Sequence, residues 1–201
     1  MLIRSLAIIG ISTSRALLPP AATMSSTGSC GIKTAPEGLS SGCVGAPLHP
    51  GQKLPIAGDE SIMSSKTPGG STTAKPVQGN LRYNISNSLA SRICSFNRHY
   101  AEPSGSFEST SYFSEIDRTK ETTYYDSVTG RPLFIAPRGR TFEAFAAESR
   151  SHGWPSFRDE EVVWNDVRVL PDGECVSTAG THLGHNLPDR KGVSTDYMSP
   201  T

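Results

Sequence analysis

The sequence predicts a small, mostly antiparallel β domain with one short helix, preceded by a long N-terminal region that has no core of its own. Two strand-like runs, 162–170 and Glu174–Ser177, flank the turn Pro171-Asp172-Gly173, which carries the chemistry of a β-hairpin. A helix start signal, Thr141 followed by Phe142, Glu143, Phe145 and Ala146, lies upstream of them. The 201 residues include 19 glycines and 15 prolines at only 35% hydrophobic content, so a folded piece is attached to something that cannot bury much apolar surface.

Taken in order, the chain opens on Arg4 and the apolar run 6–11, passes Ala21 and Ala22, and carries no acidic residue before Glu37. This pattern predicts a presequence over 1–36, with a plastid as the first destination and the mitochondrion or the secretory pathway as alternatives. Residues 37–120 are rich in Ser, Gly, Thr and Pro without a sustained period, which predicts a disordered linker. Within it, 89–96 has the makings of a short helical turn. Cys30 and Cys43 read as incidental thiols.

From about Thr122 the texture changes. Tyr124 and Tyr125 begin an expected strand, and Thr129-Gly130-Arg131-Pro132 is a turn into the apolar pair Leu133 and Phe134. The helix after Thr141 places Phe142, Phe145 and Ala146 on one face and ends before Gly153. The apolar content of 121–192 is modest, so a domain confined to that stretch is expected to be marginally stable.

The 19 basic and 19 acidic residues cancel, which argues against nucleic acid as a partner. No run is long enough for a transmembrane helix, so no membrane partner is expected. The four cysteines, Cys30, Cys43, Cys94 and Cys175, form no C-x-x-C pair.

Three segments go beyond composition: Gly130-Arg131-Pro132-Leu133-Phe134, Gly153-Trp154-Pro155-Ser156-Phe157, and Gly180-Thr181-His182-Leu183-Gly184-His185. In order and spacing they resemble the methionine-R-sulfoxide reductases (MsrB, SelR). The resemblance covers about a third of the chain, within 121–192. It implies an Mss4-like (β-tent) fold of two packed antiparallel sheets, and reduction of methionine-R-sulfoxide, free or in oxidised proteins, to methionine. A sulfoxide needs an apolar wall for its methyl group and hydrogen-bond donors for its oxygen. By resemblance Trp154 and Phe157 line the substrate site and His182 and His185 stand at the oxygen, where imidazole can deliver protons as the oxygen leaves as water. In the family a thiolate attacks the sulfur, becomes a sulfenic acid and is cleared by a second thiol. Recycling would need another thiol, Cys175 or an external reductant such as thioredoxin, while a lone cysteine in a strand reads first as an inert small hydrophobe.

The chain departs from the family at three places. Asp126, Thr129, Val176 and Ala179 stand where zinc-holding members carry two C-x-x-C pairs, so no zinc or other cofactor is expected. His152 stands where some members carry a resolving cysteine. After Gly192 the family's Arg-Tyr-Cys segment, which holds the nucleophile, is replaced by the unrelated tail 193–201. The expected cause is an incomplete gene model in which intron sequence was translated. Two further readings stay open: a non-catalytic domain that kept the sulfoxide pocket, and a β module with a purely structural role.

Overall fold

The computed structural model describes residues 44–63, 76–94 and 103–186. The expected presequence 1–36, the tail 193–201, Cys30 and Cys43 lie outside these residues. The described part is mostly small antiparallel sheets with few helices.

The first sheet pairs β1 (Thr122–Tyr125) with β2 (Pro132–Ala136). Tyr124 and Tyr125 therefore end the strand that they were expected to begin. The turn between them is built on Asp126, whose backbone carbonyl accepts from Gly130 N–H at 2.8 Å while its own N–H donates to the Arg131 carbonyl at 2.8 Å. Leu133, Phe134 and Ala136 of β2 are buried, so both faces of the strand are covered.

The helix comes out as its sequence signals predict. α3 (Phe142–His152) follows two shorter helices, α1 (Asn87–Cys94) and α2 (Tyr112–Glu115). The Thr141 hydroxyl accepts from Ala144 N–H at 3.2 Å as the N-cap, and Phe142, Phe145, Ala146 and Ser149 form the buried face. Gly153 ends the helix at φ 85°, donating its N–H to the Ser149 carbonyl at 2.9 Å. A side chain there is strained by the backbone and also collides with Ser104.

The second sheet is the antiparallel set β3 (Val167–Val169), β4 (Glu174–Ser177) and β5 (His182–His185), with β4 central. The hairpin around Pro171-Asp172-Gly173 is present, but the first strand is shorter than the run 162–170. Val162 and Val163 instead engage β2: Val163 N–H donates to the Leu133 carbonyl at 2.8 Å, and Val162 bridges Phe134. A turn through Asp166 then separates them from β3.

The expected linker 37–120 is corrected only at its described residues; 37–43, 64–75 and 95–102 lie outside them. Residues 44–63, 76–94 and 103–120 are packed, not loose. Ile56, Tyr83, Ile93, Phe107, Tyr112 and Ile116 are buried in one cluster with Tyr124, Phe134, Phe145, Phe157 and Trp164. Ala57 forms a parallel bridge to Val169, with Gly58 N–H donating to the Val169 carbonyl at 2.8 Å, so this segment covers the edge of β3. Tyr112 and Tyr124 share a hydrogen bond between buried hydroxyls, and burial pushes both phenols above their ordinary range. The short turn expected at 89–96 is realised as α1, which lies against β5. Local composition missed this because each segment carries few apolar residues, and those few find their partners only in the distant β sheets.

Candidate functional site

The Gly-Trp-Pro-Ser-Phe segment divides its labour residue by residue. Gly153 is the left-handed cap of α3. Ser156 ties the loop back to the helix: its N–H donates to Ser149 Oγ at 3.1 Å, and its hydroxyl lies 2.8 Å from His152 Nδ1. Arg140 Nη2 donates to the Ser156 carbonyl at 2.7 Å. Phe157 is fully buried, stacked on Phe134 at 4.4 Å between centroids and set edge-on to Tyr124 at 4.9 Å. This corrects the expectation that Phe157 lines a substrate site: its ring faces are occupied by core aromatics. Trp154 alone of the segment's large side chains remains half-buried on a backbone fixed from both sides.

The loop is held by a buried ion network that sequence reading missed. Arg140 pairs with Glu161 at 2.5 Å and with Glu148 at 2.9 Å, and Arg158 also reaches Glu148 at 2.9 Å. Glu161 accepts further from the backbone N–H groups of Arg138 and Arg158. The Arg140 guanidinium also lies over the Phe145 ring at 5.0 Å.

His182 and His185 are brought together by a break in strand regularity. Residues three apart on a regular strand point to opposite faces. Here the register runs Glu174 opposite His185 and Cys175 opposite Gly184, then Val176 opposite His182. Leu183 is thus an extra residue on β5, and a bulge of one residue inverts the alternation. Gly184 adopts φ 135° within it, a conformation open to glycine. The two imidazoles consequently meet edge to face at 5.8 Å. His182 is almost fully buried, and its Nδ1 lies 2.8 Å from Oε1 of the fully buried Glu174. His185 is half-buried. Glu174 was not among the expected site residues. A carboxylate inside the otherwise apolar run Glu174-Cys175-Val176 was the available signal, since such a group persists in a core only with a partner.

Cys175 does not suit the recycling role expected of it. It is fully buried on the central strand β4, and burial pushes its thiol well above the ordinary range, away from the thiolate that exchange requires. His152, the last residue of α3, is held by Ser156, and burial lowers its basicity.

Asp126 gathers Thr129 and Thr181 by hydrogen bonds. The buried Asp126 carboxylate accepts from Thr129 Oγ1 at 2.8 Å, from Val128 N–H at 2.8 Å and from Thr181 Oγ1 at 2.9 Å. Thr181 directly precedes His182, so this clasp joins the β1–β2 turn to the start of the histidine strand. Val176 is buried in a small apolar cluster with Met63 and Leu170. Among the described residues no group of three or more His, Cys, Asp or Glu side chains is arranged to hold a metal ion. Replacing Asp126 with Ala strands two hydroxyls and a backbone N–H, with an expected loss of about 3 kcal/mol in urea unfolding of the full chain. Asp126→Asn, which keeps an acceptor, is expected to lose less. A loss below about 1 kcal/mol for the Ala variant would mean that the clasp does not hold the strands.

No helix among the described residues is long and apolar enough to cross a membrane. No protein-family model, curated protein or solved structure matches the chain.

Proposed function

We propose that the chain is a methionine-R-sulfoxide reductase domain of the Mss4-like kind, with its substrate site at Trp154, His182 and His185. The observation that carries this reading is the bulged β5, which sets two imidazoles side by side although their spacing on a regular strand would separate them. Paired imidazoles with one ring braced by a carboxylate suit an acceptor such as a sulfoxide oxygen. Trp154 offers an apolar, half-buried indole of the type that takes an S-methyl group. The two-sheet arrangement supports the same reading.

In the reductase reading an external thiol such as that of thioredoxin attacks the sulfoxide sulfur while the histidines protonate the oxygen, which leaves as water; a second thiol then forms a disulfide with the first and releases methionine. A second reading, recognition of the sulfoxide without turnover, is favoured by Cys175, whose thiol is buried and held protonated. Turnover and binding assays separate the readings. The full chain is expected to bind N-acetyl-methionine-R-sulfoxide in preference to the S epimer, and Trp154→Ala to weaken that binding by about tenfold through loss of apolar contact. Methionine released in the presence of dithiothreitol identifies the reductase. Saturable binding with no release identifies the recognition domain. No binding and no turnover removes both.

A further inference from the structure

We infer that Glu174 is a positioning residue for the sulfoxide site, holding His182 by Nδ1 so that Nε2 is the atom presented to the ligand; this rests on the sulfoxide-binding reading above. Every position of β4 is buried, and Glu174 is fully so. A carboxylate in such a strand is retained only where it is hydrogen-bonded. Its Oε1 lies 2.8 Å from His182 Nδ1, and the two side chains are both shielded from water.

The register gives this contact its reach. Glu174 stands directly opposite His185, while His182 stands opposite Val176, two residues along the same strand. Were Leu183 paired with Val176 as in a regular ladder, His182 would fall opposite Ser177 and its ring would leave the face that Glu174 shares with His185. The bulge therefore places one carboxylate beside both imidazoles, which lie 5.8 Å apart.

Fixing one ring nitrogen decides the work of the other. With Nδ1–H donated to Glu174, rotation of the ring and migration of its proton both cost that hydrogen bond. Only Nε2 is then left for a ligand. A sulfoxide oxygen is an acceptor, so it takes Nε2–H from the ring that carries both protons, and Glu174 is the group that receives Nδ1–H in that form. His185 is the less buried of the two rings.

The test uses the full chain labelled with 15N-histidine. Two-bond proton–nitrogen spectra report which ring nitrogen carries the proton, and titration with N-acetyl-methionine-R-sulfoxide reports affinity. In the wild type His182 is expected as the Nδ1–H tautomer when neutral. Glu174→Gln retains a carbonyl acceptor and is expected to keep that tautomer and to bind within about threefold of wild type. Glu174→Ala is expected to lose the tautomer preference and about tenfold in affinity, the worth of one buried hydrogen bond. If the Ala variant does not fold, the wild-type and Gln spectra decide. A wild-type ring protonated on Nε2, or a Glu174→Ala ring and affinity unchanged from wild type, overturns the assignment. A wild type that holds Nδ1–H but binds no sulfoxide overturns the sulfoxide reading of the site, and with it this use of the pairing.

Discussion

Residues 121–201, produced alone, are expected to show no cooperative thermal transition, whereas the full chain melts cooperatively. The cut would fall between Tyr112 and Tyr124, whose buried hydroxyls are bonded to each other. It would remove Tyr83, Ile93, Phe107 and Tyr112 from the cluster that contains Phe134, Phe145 and Phe157. Each such side chain contributes roughly 1.5–3 kcal/mol when buried, and the net stability of a domain is only about 5–15 kcal/mol. Losing four of them therefore consumes most or all of the margin, before the bridge of Ala57 to Val169 is counted. Circular dichroism melting of the two proteins side by side is the measurement. A fragment that melts cooperatively within a few degrees of the full chain would show that the upstream segments only decorate an autonomous β domain.

Arg140→Ala is expected to destabilise the full chain by about 3–5 kcal/mol, the cost of leaving a buried charge without its partner. The residue is nearly inaccessible, at 3% side-chain exposure, and its partner Glu161 is at 0%. Removing the guanidinium also frees the Ser156 carbonyl and leaves Glu148 with Arg158 alone, so the loop that carries Trp154 loses one of its anchors. Under the proposed sulfoxide-binding reading, affinity for N-acetyl-methionine-R-sulfoxide is expected to fall as well. The double variant Arg140→Met with Glu161→Leu is expected to recover part of the loss, because an apolar pair carries no desolvation cost. Urea denaturation of the single and double variants measures both effects. An Arg140→Ala loss below about 1 kcal/mol would mean that the network is solvated and structurally idle.

The Gly-Trp-Pro-Ser-Phe segment shows how far one motif can be read in two ways. From the sequence, Trp154 and Phe157 both looked like substrate-facing aromatics. In the folded chain the second is the anchor that lets the first stay at the surface: Phe157 sits among Phe134, Tyr124 and Phe145, and Trp154 remains half-buried. For Cys175 the inert reading was legible; the structure adds its full burial on the central strand of a three-stranded sheet, and burial is what disables a thiol as a nucleophile.

What the sequence determined by itself are the features whose physics is local. Thr141 caps α3 with its own hydroxyl, Gly153 ends it in the left-handed region, Pro171-Asp172-Gly173 turns the β3–β4 hairpin, and the turn before Pro132 leads into the apolar pair Leu133 and Phe134. Each of these depends on a few neighbouring residues, so spacing and residue type suffice. The tertiary structure alone decided that 44–63, 76–94 and 103–120 belong to the core, because their scattered apolar residues meet partners far along the chain. It also decided that His182 and His185 share a face with Glu174. That outcome turns on one extra residue in the β4–β5 register, and register is a relation between two strands that neither strand's residues state alone.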